Sequence, residues 1–108
     1  MSENFRALSA RIVEVGEVYA RRFGIERTPD WYLLKLAEEL GELTAEHVEF
    51  AGGARPSGRS RDEIRRALED EAADLFGQFV LYLDANGIDI EQAIARKWLG
   101  HLDEGTPD

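Results

Sequence analysis

Apolar residues in this chain recur at alternating steps of three and four, and no segment shows the period of two that a half-buried strand requires. Phe5, Leu8, Ile12, Val15 and Tyr19 make one helical stripe, and Leu33, Leu36, Leu40 and Leu43 make a second. Leu68, Ala72, Leu75, Phe79 and Tyr82 make a third. Phe76, Val80 and Leu83 widen that third stripe, which predicts a helix buried on more than one side. Ile90, Ala93, Ile94 and Leu102 are expected to pack inward from a shorter fourth helix.

Stop and start signals divide the stripes. Ser2 can cap the first helix and Gly24 stands where its C′ residue belongs. Thr28 followed by Pro29 reads as an N-cap with proline at N1, and Gly52-Gly53 closes the helix it opens. Ser60 with Glu63, and Asp89 with Gln92, read as capping boxes, and Asn86-Gly87 ends the helix between them. Helices are predicted at about 3–23, 29–51, 61–86 and 90–102. Only a short loop joins the second to the third, so these two should form an antiparallel hairpin. The expected fold class is all-α: a four-helix bundle-like protomer that forms a dimer or tetramer.

With 108 residues the natural reading is a single domain over 1–108. A domain so small covers its apolar surface poorly. The stripes on the first and third helices, with Phe76, Phe79, Val80 and Leu83, exceed what four short helices can bury, which predicts a homo-oligomer. The formal net charge of −9 repels a phosphate backbone and argues against nucleic-acid binding. A small phosphorylated ligand remains compatible if divalent cations mediate. The absence of cysteine excludes disulfides, thiolate metal sites and cysteine catalysis. No segment approaches the ~18 apolar residues of a membrane span, and residues 1–22 lack the apolar core of a signal peptide. The expectation is a soluble, cytoplasmic chain with no membrane contact.

The second helix carries Lys35-Leu36-Ala37-Glu38-Glu39-Leu40-Gly41-Glu42. Residues three or four apart share a face, so Glu39 and Glu42 project together, with Lys35 a turn before them and Glu46 a turn after. On the third helix Glu71 and Asp74 share a face that continues through Gln78 into Leu81, Tyr82 and Ala85. Four carboxylates converging from two packed helices repel one another unless cations sit among them, and hard oxygen ligands suit Mg²⁺, with Mn²⁺ a possible substitute. A solvated acidic face is the plainer alternative. Against it stands Gly41, which costs ~1 kcal/mol relative to alanine inside a helix and so predicts close approach at that position. Di-iron chemistry needs Glu-x-x-His, and neither His47 nor His101 has a glutamate three residues before it. His47 lies on the Leu36, Leu40, Leu43 stripe and is expected to be buried or interfacial.

The run Glu38-Glu39-Leu40-Gly41-Glu42, followed after a loop by Glu71-Ala72-Ala73-Asp74, resembles the EExxE and ExxD motifs of MazG-like nucleotide pyrophosphohydrolases. That all-α superfamily also includes dimeric dUTPases, dCTP pyrophosphatases and phosphoribosyl-ATP pyrophosphatases. The resemblance covers roughly 31–102 and places Lys35 at the usual lysine position. It implies hydrolysis of a nucleoside triphosphate between the α and β phosphorus atoms, giving the monophosphate and pyrophosphate, as in house-cleaning of the (d)NTP pool. By that analogy Glu39, Glu42, Glu71 and Asp74 are ligands of Mg²⁺. Glu38, about a quarter-turn away, orients or deprotonates the attacking water. Trp31 and Tyr32, one turn before Lys35, are placed to stack on a base or to pack, and Lys97 matches a phosphate-binding position. Arg55, Arg59 and Arg61 stand in the glycine-rich loop, where closure over phosphates and simple exposure are both open, and Trp98 reads as packing. Ala95 replaces an asparagine found in many MazG domains, and His101 takes a later basic position. Phe76-Gly77-Gln78 stands where phosphoribosyl-ATP pyrophosphatases often have Tyr-His. The readings left beside the pool-cleaning enzyme are a phosphoribosyl-ATP pyrophosphatase and a non-catalytic helical scaffold or regulator.

Overall fold

The computed structural model describes residues 3–53 and 55–104. Among them all regular structure is helical: α1 is Glu3–Phe23, α2 is Pro29–Phe50 and α3 is Arg61–Ala85. A last helical stretch, α4, runs through Ile90–Ile94, a π-helical turn at Ala95–Leu99, and Gly100–Glu104. The expected cap at Ser2 lies outside the described residues. No helix among them is long and apolar enough to cross a membrane.

The start signals act as chemistry requires. The Thr28 hydroxyl accepts the Trp31 N–H at 3.2 Å, and Pro29 follows at N1, where no N–H is needed. At α3 the Ser60 hydroxyl accepts the Glu63 N–H at 3.1 Å while the Glu63 carboxylate accepts the Ser60 N–H at 2.8 Å. Asp89 accepts from the Gln92 N–H at 3.1 Å. The first three helices end alike. A glycine at positive φ (Gly24, Gly52, Gly87) turns the chain, and the next N–H returns to the carbonyl five residues back, at Ala20, Val48 and Leu83.

α2 and α3 pack along their length as the expected hairpin, and α1 lies against α3. Gly16 makes that approach possible: a Cβ there would stand 2.8 Å from a Leu81 δ-carbon. Phe5 meets Phe76 edge-on with ring centroids 6.4 Å apart. The buried apolar residues are Ala20, Ile64, Val80, Leu81 and Leu83, so the core sits mostly where the C-terminal half of α3 meets α1 and α2.

The helices do not close into one bundle within the protomer. The radius of gyration is 17.1 Å, against about 13 Å for a compact chain of this length. α4 adds little packing to the other three. Leu102 and Trp98, expected to pack, are 77% and 67% exposed, and His47 is exposed rather than buried. Phe76 and Phe79 also remain open to solvent, so among its described residues α3 is enclosed at Ile64 near its start and around Val80, Leu81 and Leu83 near its end. The close approach expected at Gly41 is absent from the protomer, where a Cβ would have nothing within 4 Å.

Candidate metal centre and the cleft beside it

The hairpin brings the two acidic motifs face to face. Glu39, Glu42 and Glu71 each offer a carboxylate oxygen, and these oxygens all lie within 4.8 Å of one another. Helical spacing puts Glu39 and Glu42 one turn apart on α2, and the antiparallel partner supplies Glu71 from α3. Glu39 is 7% exposed, Glu71 is half-buried and Glu42 is open. One oxygen of Glu39 (Oε2) and one of Glu71 (Oε2) are shut off from solvent with no hydrogen-bond partner. Orphaned buried acceptors are uncommon in native proteins and mark a missing donor, water or ion.

The electrostatics are those of crowded, partly buried acids. Burial, followed by the charges of Glu42 and Asp74, raises the Glu39 pKa, and Lys35 opposes the rise. Burial likewise pushes Glu71 up to about 7, helped by a hydrogen bond with Glu42 and by the charges of Glu42, Asp74 and Glu39. Glu71 therefore keeps a proton close to neutrality, and a nearby cation would favour its ionised form. The donor set fits Mg²⁺ or Mn²⁺: carboxylate oxygens alone, open on one side to water and a ligand.

Asp74 stands beside the trio rather than within it. It is exposed, its charge acts on Glu39 and Glu71, and it lines the neighbouring cleft. Glu38 points off the cluster, as the ~100° step between successive residues requires, and pairs with Lys35 Nζ at 3.3 Å. Glu46 does not extend the acidic face. Arg59 grips it with two hydrogen bonds of 3.0 and 2.9 Å and reaches Glu49 as well. Glu49 also accepts the Ser57 N–H at 2.8 Å, so both acids fasten the loop to α2. Arg61 donates to the Phe50 carbonyl at 3.0 Å and lies over the Phe50 ring. Arg59 and Arg61 are thus engaged in closing the hairpin and are not held out toward a ligand.

A cleft of about 530 Å³ opens beside the carboxylates between α1, α2 and α3. Lys35, Glu39 and Asp74 contribute to it, and so does Trp31. Tyr32 does not line it; its ring stands edge-on to Trp31 at 5.3 Å, with the Arg27 guanidinium 5.7 Å from its centroid. Lys97 lies on the π-helical turn of α4, outside this cleft. The groove that α4 borders is walled by Phe5, Phe76 and Phe79 instead. Sequence reasoning did not find Arg11, Tyr19, Arg27 and Gly77 as cleft residues, and Gln78 entered it only as part of a packing face. For Gln78 the signal was present: it follows Glu71 by seven residues and Asp74 by four. For the α1 residues the only hint was Gly16, a glycine inside a helix.

Compared with known protein families, with characterised proteins and with solved structures, the chain matches none.

Proposed function

We propose that this chain is a Mg²⁺-dependent nucleoside triphosphate pyrophosphohydrolase of the MazG-like kind, acting as a homo-oligomer in the cytoplasm. One observation carries the reading: carboxylate oxygens of Glu39, Glu42 and Glu71 converge within 4.8 Å, and two of these three side chains also keep a buried oxygen with no partner. Glu39, Glu42 and Glu71 would hold the metal, with Asp74 in position to join them. Bound Mg²⁺ supplies charge neutralisation for the triphosphate and acidifies water.

The chain's own residues complete the chemistry. Lys35 lies on the cleft and is paired with Glu38 in the absence of substrate. A triphosphate entering the cleft offers Lys35 a stronger partner and draws it from Glu38. The freed Glu38 carboxylate, which points off the cluster while paired, would then turn toward it to take the proton of the water that attacks the α phosphorus. The α–β anhydride bond breaks, and pyrophosphate and the monophosphate leave.

The oligomer rests on surface. The accessible area is 8243 Å², against about 6,100 Å² expected for a folded monomer of 12.2 kDa. The excess of about 2,000 Å² per chain is of the size that obligate interfaces bury.

The test is pyrophosphate release from a panel of ribo- and deoxynucleoside triphosphates. Release is expected with Mg²⁺ and abolished by EDTA. No release from any member, together with a Tm indifferent to millimolar Mg²⁺ and Mn²⁺, overturns the reading.

A further inference from the structure

Glu46 has the placement of a further carboxylate ligand, and an arginine from the loop holds it back. It follows Glu42 by one turn on the same face of α2. Helical side chains lean toward the helix N-terminus, so a free Glu46 leans toward Glu42. Side chains at that spacing stand about 5–6 Å apart at Cβ, within carboxylate reach. Instead both Glu46 oxygens are taken by the Arg59 guanidinium, at 3.0 and 2.9 Å. Glu46 stays outside the group of converging oxygens that Glu39, Glu42 and Glu71 form.

The grip is held from several sides. Arg59 also donates to Glu49 and, through Nε, to the Ser57 hydroxyl at 3.0 Å. Glu49 is fixed in turn by the Ser57 N–H at 2.8 Å. Gly58, at φ 88°, makes the reversal that lets Ser57 and Arg59 face α2 together. The Glu46 and Glu49 side chains are 18% and 12% exposed, so these pairs are screened less than pairs on the open surface. The hairpin has a separate tie at the same end, from Arg61 to the Phe50 carbonyl at 3.0 Å. What Arg59 adds is a planar fork that fits both oxygens of one carboxylate and fixes its direction.

We infer that Arg59 is an internal counter-charge that withholds Glu46 from the metal centre and thereby sets which divalent cation the centre prefers. The inference rests on the metal-binding half of the proposed function and not on hydrolysis. With Glu46 held back, the centre offers Glu39, Glu42 and Glu71, with Asp74 in position to join them. Mg²⁺ manages with few carboxylates because it keeps several of its waters. Ca²⁺ takes about six to eight oxygens, so each added carboxylate favours it over Mg²⁺. Released from Arg59, Glu46 enlarges the centre in the direction that suits Ca²⁺. Arg59 is thus a positioning residue for cation selectivity and touches neither metal nor substrate.

The experiment is calorimetric titration of the full-length protein with Mg²⁺ and with Ca²⁺, without nucleotide. Arg59→Met keeps a stem of similar shape and removes the charge. It is expected to tighten Ca²⁺ binding about tenfold while Mg²⁺ affinity changes little. Adding Glu46→Gln to Arg59→Met should return Ca²⁺ affinity to the wild-type value, and Glu46→Gln alone should leave both affinities unchanged. If Arg59 only closes the hairpin, Arg59→Met and Glu46→Gln lower Tm alike and leave the ratio of the two affinities as it was. That unchanged ratio overturns the inference. So does a loss of metal affinity in Glu46→Gln, which would make Glu46 a ligand already. Should circular dichroism show Arg59→Met unfolded, Arg59→Lys keeps the charge and loses the fork. The same shift toward Ca²⁺ is then expected, and an unchanged ratio again overturns the inference. Wild-type protein that binds neither cation overturns it together with the metal centre. Pyrophosphate release measured on the same proteins separates the two readings. A Glu46-dependent gain in Ca²⁺ binding without triphosphate hydrolysis leaves the inference standing and removes the enzyme. Hydrolysis with an unmoved cation ratio does the reverse.

Discussion

Glu38 and Glu39 are neighbours in the chain and differ in every physical respect. Glu39 is buried among carboxylates, and Glu38 is exposed and ion-paired with Lys35. Glu39→Gln is therefore expected to weaken metal binding and turnover together. Glu38→Gln should leave metal affinity nearly intact and lower kcat by about 10²–10⁴-fold, the usual contribution of a general base. Calorimetric metal titration beside pyrophosphate-release kinetics reads both, with circular dichroism confirming each fold. Wild-type kcat in Glu38→Gln at saturating Mg²⁺ removes Glu38 from the chemistry. Glu71 sets a pH dependence. Its pKa is about 7 folded, against an ordinary 4.5, so the native chain keeps a proton that the unfolded chain releases between those values. Without divalent cations the Glu71 contribution to stability is complete below about pH 4.5 and is lost as pH rises through about 7. Mg²⁺ favours the ionised cluster and releases that proton on binding. The rise in Tm on adding Mg²⁺ should thus be larger at about pH 8 than at about pH 5.5. Equal increments at the two pH values would show that Glu71 is not part of the site.

The helices that carry these residues are held by local chemistry at their ends. Thr28 joins α2 to the short connection before it, and its hydroxyl is the cap that satisfies the Trp31 N–H. Thr28→Ala should cost about 1 kcal/mol and lower Tm by a few degrees, with activity falling little in protein that remains folded. Along the exposed side of α2, Leu34, Gly41 and Val48 follow at seven-residue spacing, flanked by Leu33 and Leu40. Such a seam with a glycine at its centre is what a second helix needs for close approach, and the protomer leaves it uncovered. Gly41→Leu should raise helix propensity and yet reduce oligomer mass in light scattering. A variant that simply becomes more stable at unchanged mass would mark this side of α2 as a solvent face.

At the scale of the whole molecule, the apolar surface left open on α1, α3 and α4 includes Leu8, Val15, Phe76, Phe79, Trp98 and Leu102. A single chain this extended has little core to offset its conformational entropy. Light scattering at micromolar concentration is expected to give a multiple of 12.2 kDa, and a monomer of that mass would refute the oligomer. Saturating Mg²⁺ should stabilise the assembled protein further, by about 2.7 kcal/mol at 100 times Kd, because the unfolded chain disperses the acids that bind it. Thermal unfolding with and without the cation measures this.

What could be read from the chain alone was whatever local chemistry decides. Thr28-Pro29, the Ser60–Glu63 box and the glycines at 24, 52 and 87 act within a turn of their own positions, so the three long helices fall where the pattern put them. The pairing of Glu39 and Glu42 on α2, and their meeting with Glu71, also follow from helical period and a short loop. The rest depends on how whole helices sit against one another. Stripe periodicity says that Leu102 and Trp98 are apolar and spaced to pack, but not whether any partner lies beneath them. Glu46 shares the face of Glu39 and Glu42 by spacing and becomes a loop anchor only because the turn brings Arg59, thirteen residues on, back to it. Asp74 shares the face of Glu71, yet it stands off the trio and toward the cleft. The cleft itself, with Arg11 and Tyr19 from α1 facing Trp31 and Gln78, exists only once α1 has docked on α3 through Gly16 and Leu81. Spacing along one helix fixes which side chains share a face, and only the contact between helices decides what that face meets.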